Sequence, residues 1–470
     1  MKQYHIGIVG LGVMGQNLAL NMESNGFSAA GFDLDSKKSQ AAAQAFAGKN
    51  MTTAGSPAEL AASLETPRRI LIMVPAGKPV DSVIHDLRPH LTTNDILIDG
   101  GNSFFPDTDR RGKELESDGI RFIGMGVSGG EEGALHGPAL MPGGQEDAYR
   151  LVEPIFNAIA AKVNGEPCCG YIGKGGAGHY VKMVHNGIEY AIMQLLCEAY
   201  DIMKVSLGMD PAQMQKVFAA WNQTDMNSYL LEITADVLGK KDPESGKPMV
   251  DLILDRAGQK GTGKWTSQNA LDLGIAVPTI NAALEGRILS AVKDERVAAS
   301  KVLRGPDRAI HGDPKSFLDT LRDGLKLATF TCYAQGFSLM REASKEYGYH
   351  LNFAEIARIW KGGCIIRAKN LDDIRAAFAA NSDLVNLLVA DRFVPMVNQL
   401  TAPLRTTVAT AVEHGVPVLG LSASLGYIDS YRRERLPQNL LQGQRDYFGA
   451  HTYERVDKPR GQMFHTNWTE

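Results

Sequence analysis

The sequence predicts an α/β N-terminal domain followed by a large all-α domain and a C-terminal tail. Three observations carry this. Over the first ~175 residues, short apolar runs alternate with helix-like segments. From Gly178 onward, long patterns of helical periodicity dominate. From Leu436 the chain is rich in Gly, Gln, Arg, Tyr and His and lacks such periodicity, which fits a tail that is loose or docked on something else. The three parts read as 1–177, 178–435 and 436–470.

Strands are expected at 5–9, 29–33, 69–74, 96–99 and 121–125, each apolar and ending near Gly, Pro or Asp. Near-continuous apolar character suits parallel strands covered on both faces. Helices are expected between them at 16–24 and 80–87. Further helices follow at 180–207, 211–221, 228–238, 278–303 and 315–347, with loops at 240–248 and 304–314.

Composition narrows the class. Apolar residues at 44% and charged residues at 22% suit a folded soluble enzyme and not a disordered chain. With 49 Lys and Arg against 53 Asp and Glu, the net charge of -4 argues against a basic nucleic-acid binder. No apolar run reaches the ~18 residues of a membrane span, and the start lacks a signal-peptide layout. Five scattered cysteines without CxxC suit neither a disulfide scaffold nor a zinc ribbon. A reduced cytoplasmic setting is therefore expected, with no membrane and no metal. The 49 glycines exceed the usual ~7%, and they cluster.

The first cluster is Gly10-Leu11-Gly12-Val13-Met14-Gly15, between a predicted strand and a predicted helix. Its glycines allow a tight turn, close approach of a pyrophosphate, and close helix–strand packing, with the helix N-terminus facing the phosphates. The N-terminal part thus reads as a Rossmann-like dinucleotide-binding domain. Asp33 lies 18 residues past Gly15, where a carboxylate accepts hydrogen bonds from the adenosine ribose of NAD and repels the 2′-phosphate of NADP. Asp35 suits either a second negative charge or a helix N-cap, and Lys37 and Lys38 either offset part of this charge or form a solvated helix face. Val74, Pro75 and Ala76, after the third strand, would line the cofactor crevice or form an ordinary loop.

Three further clusters sit near strand carboxyl ends: Asp99-Gly100-Gly101-Asn102-Ser103, Ser128-Gly129-Gly130, and Met141-Pro142-Gly143-Gly144. One would be a turn needing positive φ; three favour a pocket. In the next helix, Lys182, Asn186 and Glu189 share a face by their i, i+4, i+7 spacing. They suit either a surface ion-pair ladder or a row serving successive atoms of a short substrate. Gly176, Gly178 and Gly187 tilt this toward close approach of a ligand, because they cost helix stability. The run from Lys260 to Thr266 lacks the GxxxxGK[ST] spacing of a nucleotide-triphosphate loop but can hold a phosphate. Arg287 suits a surface position as well as a site, and the tail supplies Arg445 and His451.

Together these segments resemble the 6-phosphogluconate dehydrogenases, the decarboxylating enzymes of the oxidative pentose phosphate route. The resemblance runs through GLGVMG, DGGNS, GVSGGEEGA, MPGG, GAGHYVKMVHNGIEY, GQKGTGKWT, KDERVAASK, KGGCIIR and QRDYFGAHTYERVD, and so spans essentially the whole chain. It implies a homodimer, or a tetramer, whose tails thread into the partner subunit, so that Arg445 and His451 act in trans. It implies Lys182 as general base and acid, Glu189 as general acid, and no metal. Cofactor contacts would come from Gly10, Gly12, Val13, Met14, Gly15, Asp33, Leu34, Val74, Pro75, Ala76 and Asn102. The 6-phosphogluconate would be held by Asn102, Ser128, Gly129, Gly130, His185 and Asn186, with Tyr190, Lys260, Thr262, Arg287, Arg445 and His451 around its phosphate end.

The chain departs from the family pattern at the cofactor. NADP-using members carry Asn-Arg-Ser/Thr where Asp33-Leu34-Asp35 stands, and many carry Lys in place of Pro75. NAD is therefore expected in preference to NADP. Ile192 and Leu284-Glu285-Gly286 also depart, without removing a catalytic group. The nearest alternative is a non-decarboxylating β-hydroxyacid dehydrogenase, which would not need the phosphate ligands or the long tail.

Overall fold

The computed structural model describes residues 3–259, 261–306 and 314–470. Ile6–Val9 (β1), Ala29–Phe32 (β2), Met51–Thr53 (β3), Arg69–Ile72 (β4), Ile96–Asp99 (β5), Arg121–Ser128 (β6) and Ala139–Gly144 (β7) form one sheet. Its order is β3-β2-β1-β4-β5-β6-β7. All pairs are parallel except β6–β7, which is antiparallel. Side chains alternate between two cores, as strand geometry dictates. Ile6, Ile8, Leu71 and Ile98 enter one; Val9, Ile70, Ile72 and Leu97 enter the other. The order reverses between β1 and β4, which opens a crevice at their carboxyl ends.

The 30-residue helix Ala177–Ser206 leads out of this domain. Its first turns pack on β6 and β7, and the rest packs on Thr262–Asp272, Pro278–Ala291 and Pro314–Glu346. Val181, Val184, Ile188 and Leu195 form one stripe buried in the helical core, and every residue from Ala177 to Ile188 is buried. Polar residues in that stretch therefore face other protein groups or a pocket.

The structure corrects four expectations. β3 is a three-residue edge strand, too short to register as a pattern. β7 contains Pro142, Gly143 and Gly144, which read as a turn; Pro is tolerated because β7 is the sheet edge. The helix expected over 278–303 breaks at Val292 into Pro278–Ala291 and Lys293–Ala299. The tail is not irregular: Gln438–Gly449 is a helix, followed by an antiparallel pairing of Tyr453–Glu454 with Met463–Phe464. Its apolar residues, Leu440, Leu441, Tyr447 and Phe448, do recur at seven-residue spacing. They are 51–73% exposed in the single chain, so the stripe faces outward. Among the described residues, no helix is long and apolar enough to cross a membrane.

Candidate active site

The crevice begins at Gly10, held at φ +99°, where a Cβ would lie 2.4 Å from the Met73 carbonyl oxygen. Helix Val13–Ser24 starts one residue after Gly12, whose Cα faces open space. The first N–H groups of a helix lack intrahelical partners, so this open turn fits a pyrophosphate. Asp33 Oδ2 accepts from Leu11 N–H at 2.7 Å, and Oδ1 accepts from Asp35 N–H at 2.9 Å. The carboxylate is thus tied to the glycine turn. Asp35 caps helix Ser36–Ala45 through Lys37 N–H at 3.0 Å, the second of its two readings. Leu34 is 76% exposed beside a cavity lined by Asp33, Ser39, Gln40 and Thr53, with no basic residue in its lining. Val74 is half-buried; Pro75, Ala76 and Val13 are exposed, and Met14 is half-buried.

Across the crevice, the Asp99–Ser103 loop is fixed by a group that sequence reasoning missed. Arg111, 1% exposed, donates to Asp99 Oδ2 (3.3 Å), Asp81 Oδ1 (2.7 Å) and the Gly77 carbonyl (3.0 Å). Ser103 also donates to Asp99 Oδ2 at 2.6 Å. The arginine therefore ties the loop carrying exposed Asn102 to the loop after β4. Nothing local in the sequence signals it, because its partners lie 8–34 residues away.

The polar face of Ala177–Ser206 is buried, not a surface ladder. Lys182 Nζ donates to Ser128 Oγ at 3.1 Å and Asn186 Oδ1 at 2.9 Å. Asn186 Nδ2 donates to Thr262 Oγ1 at 3.0 Å. His185 Nδ1 lies 3.0 Å from Asn186 Oδ1, and its Nε2 lies 3.4 Å from Ser128 Oγ. Asn186 Oδ1 accepts only, so His185 carries its proton on Nδ1 and Nε2 accepts from Ser128. Burial, with the adjacent Lys182, pushes His185 far below its ordinary range and keeps it neutral.

Burial also lowers Lys182, opposed by the Glu189 and Cys364 charges. Burial raises Glu189, opposed by Lys182 and Arg287. Both shifts run toward the uncharged forms of the two groups. Arg287 stacks on Tyr190, its guanidinium carbon 3.5 Å from the ring centroid, and donates to the Gly258 carbonyl at 3.0 Å. It is therefore a site-wall arginine and not a free surface one.

Two glycines seat this helix against the sheet. A Cβ on Gly126 would lie 2.5 Å from Lys182 Cβ, and one on Gly178 would lie 2.2 Å from the Met141 carbonyl oxygen. Gly178 thus admits protein backbone. Gly187 likewise admits Thr266 Cγ2, at 2.6 Å, and Gly176 admits the Phe105 carbonyl oxygen, at 2.7 Å. The expectation that these three glycines make room for a ligand is corrected: they make room for packing. Gly126→Ala is expected to lower kcat about 10²-fold by displacing Lys182, the scale of a ~1 Å misplacement. Dinucleotide affinity, read by fluorescence titration, should be unchanged.

Gly129, at φ +121°, sits against the Gly363 carbonyl, and exposed Gly130 follows. Trp360 packs edge-on to His185 at 5.6 Å. The Trp360–Cys364 stretch thus walls the site; its Gly362-Gly363 pair was the available signal. Lys260 lies outside the described residues. Arg445 and His451 are exposed and contact Gln442 and Phe448 of their own tail. The single chain therefore brings together Ser128, Lys182, His185, Asn186, Glu189, Tyr190, Thr262 and Arg287, but not the two tail residues.

Comparison with known proteins agrees in both halves. Residues 5–173 match the NAD binding domain of 6-phosphogluconate dehydrogenase, and residues 178–468 match the 6-phosphogluconate dehydrogenase C-terminal domain. The chain is 54% identical to a decarboxylating 6-phosphogluconate dehydrogenase of Synechococcus elongatus, with 100% of each chain covered. It is 53% identical to the NADP(+)-dependent, decarboxylating enzyme of Bacillus subtilis, again with 100% of each covered. The solved 6-phosphogluconate dehydrogenase of Plasmodium falciparum, described in complexes with its cofactor NADP+ and its substrate 6-phosphogluconate, superposes with a TM-score of 0.95. Its identity is 41%, with 99% of this chain and 100% of that one covered. With a Rossmann-like sheet, a buried Lys–Glu helix and full-length relatives above half identity, the chain belongs to the 6-phosphogluconate dehydrogenase family.

Proposed function

We propose that the chain converts 6-phospho-D-gluconate to D-ribulose 5-phosphate and CO₂, with Lys182 as base and then acid, and Glu189 as the final acid. The observation that carries this is one helix face that holds buried Lys182 between Ser128 and Asn186, with half-buried Glu189 two turns on and burial shifting both groups toward their uncharged forms. A bound nicotinamide dinucleotide supplies hydride acceptance. Neutral Lys182 Nζ, held by Ser128 and Asn186, takes the proton of the substrate C3 hydroxyl. The 3-keto product has its carboxylate β to the carbonyl. Lys182, now charged, returns the proton to that carbonyl oxygen as CO₂ leaves. Glu189 then protonates C1 of the enediol while Lys182, neutral again, takes back the enol hydroxyl proton, which leaves the ketone of ribulose 5-phosphate. Equal amounts of CO₂ and reduced dinucleotide from 6-phosphogluconate are expected; reduced dinucleotide without CO₂ would support the non-decarboxylating alternative instead. The full-length decarboxylating relatives favour the first outcome.

Asn102, Gly129, Gly130, His185, Tyr190, Lys260, Thr262 and Arg287 complete the substrate site in this reading, with the partner chain adding the tail pair. A homodimer fits the exposed apolar side chains Leu271, Ile288, Leu289, Val302 and Leu303 and the tail stripe, which need cover. Sedimentation at a multiple of the chain mass is expected, and a monomer would refute it.

NAD is the preferred cofactor in this reading. Support comes from the Asp33 carboxylate at the end of β2, from uncharged, exposed Leu34, and from a neighbouring cavity without a basic lining residue. A 2′-phosphate there would meet a fixed negative charge and no guanidinium fork. kcat/KM should be at least about tenfold higher with NAD than with NADP, the size of a ~1.4 kcal/mol discrimination. Asp33→Asn combined with Leu34→Arg should reverse the ratio. A wild-type preference for NADP, the cofactor of the Bacillus and Plasmodium relatives, would defeat this reading.

A further inference from the structure

Asp446 is a buried carboxylate in a tail that is otherwise largely exposed. It is 0% exposed, while Arg445, Tyr447, Phe448 and His451 around it are open to solvent. Its two oxygens take four donors. Oδ1 accepts from Thr452 N–H at 3.0 Å and His465 Nδ1 at 2.9 Å. Oδ2 accepts from Thr466 N–H at 3.0 Å and Trp468 Nε1 at 2.9 Å. These four bonds use the acceptor capacity of an ionised carboxylate. They join helix Gln438–Gly449, the turn after it and the last residues of the chain into one unit.

The turn so clamped holds His451 between two residues in the left-handed region, Ala450 at φ +47° and Thr452 at φ +61°. A β-branched residue rarely adopts that conformation and persists there only when its surroundings over-determine it. Thr452 is held at both ends of its backbone: its N–H goes to Asp446, and its carbonyl accepts from Gln442 Nε2 at 2.6 Å. The same Gln442 accepts from Arg445 Nη1 through its Oε1 at 3.1 Å. The His451 ring folds back over Gly449, where a Cβ would lie 2.7 Å from Nε2, and meets the Phe448 ring edge-on at 5.9 Å. One helix end, one amide and one carboxylate thus fix the Arg445 and His451 backbones relative to each other before any partner is met.

We propose that Asp446 is a positioning residue that presets Arg445 and His451 as a two-point clamp for the substrate phosphate of the partner subunit's site. This assignment rests on the reading of Arg445 and His451 as ligands of that phosphate. The tail is delivered already shaped, so little ordering entropy is lost when the clamp closes on the dianion. The carboxylate itself touches no substrate.

The test uses the full-length protein and three probes: 6-phosphogluconate as substrate, and inorganic phosphate and D-gluconate as competing inhibitors. Asp446→Asn keeps the shape but turns one acceptor into a donor facing two donors. It should raise the KM for 6-phosphogluconate and the inhibition constant of phosphate together, by about tenfold or more, within the range of a misplaced binding group. The inhibition constant of D-gluconate and the KM of the dinucleotide should move less than about twofold, and the sedimenting mass should stay that of the wild type. Trp468→Phe removes a single donor and should move the phosphate readouts the same way by less. The effects of Asp446→Asn and His451→Ala should combine less than multiplicatively. Unchanged phosphate inhibition, or an equal rise for D-gluconate, would overturn the assignment while leaving the phosphate reading intact. If Arg445→Ala and His451→Ala themselves leave phosphate inhibition unchanged, the phosphate reading falls and the Asp446 assignment falls with it.

Discussion

Lys182→Ala is expected to lower the first-turnover rate of reduced-dinucleotide formation by about 10⁴-fold, the upper range for removing one acid–base group. The loss falls at the top of that range because one amine serves twice, taking the C3 hydroxyl proton and then returning it. Lys182→Arg should be as damaging. A guanidinium retains the charge but does not deprotonate in a protein, so it is no base. The pair of variants separates a base from a mere cation. Stopped-flow absorbance on 6-phosphogluconate reads both, and substantial activity in Lys182→Arg would refute the base role. Fold should survive in both variants, because the Lys182 partners Ser128, Asn186 and His185 can re-pair with one another or with water.

Glu189→Gln is expected to separate the chemical steps. The amide keeps size and hydrogen bonding but has no proton to give to carbon. Ribulose 5-phosphate formation should fall by about 10²–10⁴-fold, while reduced dinucleotide in the first turnover falls by less than about tenfold. Chemical quench beside absorbance measures the two, and equal slowing would contradict the assignment. The pH profile adds a signed expectation. Glu189 keeps its proton through the acid limb in this reading, so Glu189→Gln leaves that limb in place. The alkaline limb that reports loss of the Glu189 proton should vanish.

The nucleotide turn was legible because its constraint is local: Gly10, Gly12 and Gly15 sit between an apolar strand and a helix within a dozen residues. The Lys182–Asn186–Glu189 face was legible as a face, since helical spacing determines it. Its burial was not, because that depends on Thr262, on Ser128 and on the sheet edge at Gly126. Gly178 and Gly187 were readable as points of close approach, but what approaches them lies 37 and 79 residues away, at Met141 and Thr266. Arg111 gave no local sign, as its contacts to Gly77, Asp81 and Asp99 are tertiary. The tail helix was hidden because its apolar stripe is spread over seven-residue steps and its cover is not supplied by the same chain.

The central claim is that burial leaves Lys182 uncharged when the substrate arrives. The direct measurement is a pH titration of ¹³Cε-lysine resonances by NMR, with Lys182→Arg assigning the signal by its loss. A midpoint below the ordinary lysine value of ~10.4 is expected. A Lys182 signal titrating at the ordinary lysine position would contradict it.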